Sequence, residues 1–189
     1  MPRPFALFLV ILFGLFLGLG SHALTDQAFA KNKSQQVANI FEQICIKGEP
    51  ARNFQDRIPP RMVRSDSFGP DALIWIDPVT KVFLTIKDTR CSMNLYGDAA
   101  FLTDETGHAL LSVVTELVSK HFPQLKIDPK AKMHPDDIFV AWSNWERTDP
   151  ATPQRGAVIL WIYDHGEKST FLSLTLPRDG TSLTPSTSP

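Results

Sequence analysis

ALIWIDPVTKVFLTIKDTRCSMNLY, residues 72–96, decides the architecture. ALIWI (72–76) is apolar, and Asp77-Pro78 ends it with a turn. In KVFLTIKD (81–88), Val82, Leu84 and Ile86 share one face. In RCSMNLY (90–96), Cys91, Met93 and Leu95 alternate with Arg90, Ser92 and Asn94, the period of a half-buried strand. The connections are of hairpin length, so the stretch predicts an antiparallel meander.

Upstream, KSQQVANIFEQICIK (33–47) places apolar residues at 37, 40, 41, 44 and 45. That spacing is the stripe of an amphipathic helix. Asn32 with Gln35 resembles a capping box, and Gly48 and Pro50 stop the helix. Cys45 therefore lies on a buried stripe and Cys91 on a buried strand face. The chain has no other cysteine. In an oxidising compartment two such thiols pair. Closing that loop is worth about 4 kcal/mol in the chain-entropy description. There is no C-x-x-C, and neither cysteine opens a helix, so the pair is structural rather than redox-active.

The compartment follows from the start of the chain, MPRPFALFLVILFGLFLGLGSHALTDQ. Arg3, an apolar run from Phe5 to Leu19 and Ser21-His22-Ala23 have the three-part form of an export signal, with cleavage expected after Ala23. Such a protein is periplasmic or secreted. The alternative is an uncleaved anchor, for which the run is near the minimum length of about 17 residues. Arg3 is the signal's one charged residue, so 18 Lys plus Arg remain against 20 Asp plus Glu. That balance excludes nucleic-acid binding by bulk charge. No integral membrane span is expected after cleavage.

Downstream, DETGHALLSVVTELVSKH (104–121) is the clearest helix, capped by Thr103 or Asp104 and ended by Pro123, with Gly107 weakening its first turn. DIFVAWSNW (137–145) is apolar on both faces, which predicts an interior strand. AVILWIY and FLSLTL flank Asp164-His165-Gly166-Glu167, a hairpin signal. Trp75, Trp142 and Trp161 lie inside apolar runs and are expected in the core. The expected fold is α+β: two main helices on an antiparallel sheet of about six strands, in the order α-β-β-β-α-β-β-β, with one disulfide. The expected divisions are a signal peptide (1–23), a flexible leader (24–31), one domain (32–176) and a disordered tail (177–189).

Catalytic motifs are scarce. There is no Gly-x-Ser-x-Gly and no phosphate-cradling glycine loop. His108, His121, His134 and His165 show no i, i+3 or i+4 pairing, so spacing predicts no metal site and no cofactor. His134-Pro135-Asp136-Asp137 is expected to be a polar turn before a strand. The most suggestive binding feature is ARNFQDRIPPRMVR, where Arg52, Arg57, Arg61 and Arg64 fall within thirteen positions. Arginine suits bidentate contact with carboxylate or phosphate. Trp145, near a strand end, adds an aromatic platform. The expectation is a non-catalytic exported binding or accessory protein of the cell envelope, whose partner is an envelope protein or an anionic envelope ligand. One alternative is a hydrolase assembled from His134, Asp136, Asp137 and His165. Another is a membrane-anchored structural protein.

Overall fold

A computed structural model describes residues 30–49, 53–65, 73–87, 89–143, 156–177 and 183. The fold is α+β, with two helices and one antiparallel sheet. The signal, residues 24–29 of the leader, Arg52 and Trp145 lie outside the described residues, as does the expected tail apart from Pro177 and Leu183.

Helix α1 covers residues 30–48. It already includes residues 30 and 31, ahead of the expected cap at Asn32. The Ser34 hydroxyl donates to the Ala30 carbonyl at 2.8 Å, a bond made within a helix already running. Glu42–Ile46 forms a π turn. The wider turn carries Ile44, Cys45 and Ile46 together onto the buried side, one residue more than a regular stripe allows. A 3₁₀ turn, Phe54–Arg57, follows and buries Phe54 against Gly48.

Among the described residues the sheet has eight strands rather than about six. The first four are β1 (Val63–Ser65), β2 (Leu73–Ile76), β3 (Phe83–Lys87) and β4 (Arg90–Tyr96). Helix α2 (Glu105–His121) follows, then β5 (Lys126–Ile127), β6 (Ile138–Ser143), β7 (Ala157–Tyr163) and β8 (Ser169–Thr175). The order across the sheet is β1-β2-β3-β4-β8-β7-β6-β5. The two added strands are its edges. At three and two residues they are too short to show a periodicity. Each half is thus a helix followed by a four-stranded meander, and the halves join along β4 and β8.

One sheet face carries Leu84, Cys91, Met93, Leu95, Val158, Leu160, Ile162, Leu172 and Leu174, all fully buried. Both helices cover this face. Cys45 of α1 is bonded to Cys91 of β4, with Cα atoms 5.5 Å apart. Asp104 caps α2, its carboxylate accepting from the Thr106 N–H at 2.8 Å. Gly107 brings α2 close to β6 and β7: a Cβ there would stand 2.0 Å from the Leu102 carbonyl and 2.9 Å from Ile138 Cδ1. Leu183 is also buried in this core. Its N–H donates to Glu49, and the Gln124 side chain donates to its carbonyl.

Strand β6 is an interior strand, as expected: it pairs with β7 along its whole length and with the short edge strand β5 at Trp142 and Ser143. It is apolar on both faces because its outward Phe139 meets Trp161 across the strands. Trp161 itself corrects the expected core set. Trp142 is buried and Trp75 packs against the core. Trp161 lies in register with Phe139 and Phe171 on the opposite face.

Candidate functional site

Among the described residues the arginine segment runs over a 3₁₀ turn, a further turn and strand β1, and Arg52 lies outside them. Arg57 is exposed, its nearest side-chain partner being Asn53 Oδ1 at 3.5 Å. Arg64 sits on β1, across from Trp75. Arg61 is committed within the fold: its guanidinium donates to Asp77 Oδ2 through Nη2 at 2.9 Å and Nε at 3.0 Å. The Asp77 side chain is fully buried. Its other oxygen accepts from the Val79 and Thr80 N–H groups and shapes the β2–β3 turn. Burial pushes the Asp77 pKa up. The Arg61 hydrogen bond, the turn amides and the guanidinium charge outweigh that, and the net direction is down. Arg61 also lines a groove of about 490 Å³ with Gln36, Asn39 and Gln43. Asp77 neutralises the cation there, so this groove offers amides rather than a free positive charge.

A second groove, about 550 Å³, opens on the sheet face away from the helices. Strands β4, β7 and β8 build it from alternate positions: Asn94 and Tyr96, Trp161 and Tyr163, Ser169 and Phe171, with Glu167 from the β7–β8 loop. Register explains the convergence. Asn94 pairs with Phe171, and Phe171 pairs with Trp161. Edge-to-face contacts extend the aromatic row, with Phe83 on Tyr96 (ring centroids 5.5 Å apart), Phe139 on Trp161 (6.4 Å) and Trp161 on Tyr163 (5.9 Å). Sequence reading missed this face because β7 is apolar on both sides. The available signal was size: aromatics at 161 and 163 are two apart, hence on one face.

The row continues into the histidines. Tyr163 lies against His165 with ring centroids 4.0 Å apart, and His165 against His134 at 4.3 Å, the rings tilted in both pairs. Antiparallel pairing of β6 with β7 sets Asp137, at the foot of β6, beside the β7–β8 loop that carries His165. A turn closed by the Asp137 N–H on the His134 carbonyl, at 3.0 Å, swings His134 over the same place. Asp136 and Asp137 lie on the turn that leads into β6, not on the strand, and their side chains diverge. The Asp136 side chain is 79 % exposed and that of Asp137 is 1 % exposed. Asp137 Oδ2 accepts from the Trp161 indole N–H at 2.7 Å. Asp137 Oδ1 lies 3.2 Å from His165 Nδ1. That is ion-pair distance, but the alignment is wrong for a hydrogen bond, and both buried atoms lack one. The fold therefore assembles three of the four residues weighed for hydrolysis, although their spacing in the chain predicts no cluster.

No family model, curated protein or solved structure matches the chain.

Proposed function

We propose that this chain is an exported, non-catalytic binding protein of the cell envelope, and that its binding surface is the aromatic groove on the open sheet face rather than the arginine segment. The observation that carries this reading is the groove itself. Its volume lies in the range of small-ligand sites. Tyr96, Trp161, Tyr163 and Phe171 offer flat apolar faces, while Asn94, Ser169 and the tyrosine hydroxyls offer hydrogen bonds at the rim. That combination suits a neutral ring bearing hydroxyls: its C–H face lies on the aromatic rings and its edge meets the polar groups. Glu167 disfavours an anion. The ligand class is thus one or two sugar rings of an envelope polysaccharide. Export is supported by the Cys45–Cys91 bond, which persists in an oxidising compartment. Among the described residues no helix is long and apolar enough to cross a membrane.

The test is a titration of the protein with neutral and acidic envelope oligosaccharides, followed by tryptophan fluorescence and by release of shortened sugars. Saturable binding of a neutral oligosaccharide, weakened about tenfold or more in Trp161→Ala, is expected, since losing one stacking aromatic removes roughly 1–3 kcal/mol. No saccharide binding at millimolar concentration would remove the groove from the reading. Release of cleaved product, lost in Asp137→Asn, would instead favour hydrolysis. That second reading draws on the proximity of His165 and Asp137. Mass analysis of the native chain tests export: a chain beginning at Leu24 is expected, and an intact Met1 start would favour the anchored alternative.

A further inference from the structure

We propose that His134, Asp137 and His165 form a binding site for a divalent transition-metal ion of the zinc type. The inference does not rest on the groove taking a sugar.

The donor set comes first. Two imidazoles and one carboxylate suit zinc, copper or nickel. They do not suit calcium or magnesium, which take oxygen ligands almost exclusively. One donor atom from each of the three residues lies within 4.8 Å of the other two. Asp137 Oδ1 and His165 Nδ1 are already 3.2 Å apart. In a tetrahedral zinc site with bonds of roughly 2.0–2.1 Å, two ligand atoms stand about 3.3 Å apart. This edge of the site is therefore preformed. His134 is half exposed and sits on a turn; its Nδ1 lies 3.5 Å from the exposed Asp136 carboxylate and accepts from the Asp136 N–H at 3.4 Å, contacts it would exchange to draw inward or keep while ligating through Nε2.

The second observation is the state of the two preformed donors. Asp137 is almost wholly buried, yet Oδ1 has no hydrogen-bond partner, and neither does the buried His165 Nδ1. Leaving a buried polar atom unpaired is costly, and more so when it is charged. Both lone pairs face the same small space, where a cation would satisfy them at once. The Trp161 indole holds the other Asp137 oxygen at 2.7 Å, fixing the carboxylate as an outer-shell hydrogen bond fixes a ligand. Three protein donors leave a fourth tetrahedral position open to water or to a ligand.

The experiment uses untagged protein, expressed from the full-length sequence, purified as the cell processes it and stripped with chelator. Zinc is titrated by calorimetry and by competition with a chromophoric chelator. One equivalent of zinc is expected to bind, with calcium and magnesium failing to displace it. His165→Gln and Asp137→Asn should each weaken binding by about a hundredfold or more, beyond the usual loss for an outer-shell residue. Asn at 137 keeps an acceptor for Trp161, and His165 is partly exposed, so at least one variant should fold, which circular dichroism checks. His108→Ala, at an exposed histidine of α2, should bind as the parent does. No saturable binding, binding that survives both substitutions in folded protein, or an equal loss in His108→Ala would each overturn the proposal.

Discussion

Asp77 has no exposed side-chain surface, and every hydrogen bond it makes has a structural consequence. One oxygen holds two turn amides and the other holds Arg61. Because its folded pKa is lowered, its stabilising contribution is complete above the pKa of the unfolded chain. That contribution is lost as pH falls through the lowered folded value. Arg61→Ala leaves a buried carboxylate short of a partner. It is expected to lower stability by about 1.5 kcal/mol at neutral pH, the low end for a hydrogen bond to a charged group, because Arg61 is itself 51 % exposed. The difference from the parent should shrink as the solution is acidified through the range in which Asp77 titrates. Urea unfolding at neutral and acidic pH measures both effects, and a constant difference would show that the carboxylate is not responsible. Arg61 was legible in the sequence as a cation within a loop. Its partner was not, because Asp77 is sixteen residues away and meets Arg61 only once β2 is folded.

Gly107 separates local propensity from packing at the scale of an element. In an isolated helix, alanine is better than glycine by about 1 kcal/mol. Here a Cβ would run into the Leu102 carbonyl and Ile138. Gly107→Ala is therefore expected to destabilise by roughly 1–3 kcal/mol, the cost of overpacking. The midpoint of urea unfolding gives the sign directly, and a rise would mean that α2 can move off the sheet. Strands β3, β4 and β7 were legible because period-2 alternation or apolar runs marked them. The π turn was not, since one inserted residue shifts a helical stripe without changing its composition. Nor was the outward face of β7: Ile162 and Trp161 are both apolar, and the partner strands decide which faces the core. His134, Asp137 and His165 each drew attention on chemistry alone. Their meeting depends on the register of β6 with β7, which spacing along the chain does not encode. Contacts between helices were equally hidden. Glu42 of α1 lies 2.8 Å from His121 Nε2 and 3.2 Å from Lys120 Nζ of α2. Burial raises the Glu42 pKa, and these two partners more than reverse that.

At the scale of the whole molecule, the disulfide spans 46 residues and ties α1 to the fourth strand. Replacing both cysteines by serine is expected to cost about 4 kcal/mol in the chain-entropy description. That is a large share of the roughly 5–15 kcal/mol typical of a domain. Comparing chemical unfolding of this variant with the parent under oxidising conditions tests it; a loss well below 2 kcal/mol would place most of the stability in the core alone. The α+β class, both main helices and the cysteine pairing were legible, because each rests on periodicity or compartment. The eight-strand order was not, since the edge strands are short and the closure of β4 on β8 joins residues far apart in the chain. That closure has a consequence of its own. The disulfide lies wholly within the first helix-and-meander, so apart from the chain itself the second half is held to it without a covalent bond, by the seven paired residues of β4 and β8, the Glu42 contacts, Leu183 and the shared core. The polypeptide is in effect two modules sharing one core, and the segment that joins them is itself part of it: Phe101 is fully buried and its N–H donates to Thr170 Oγ1 at 2.8 Å.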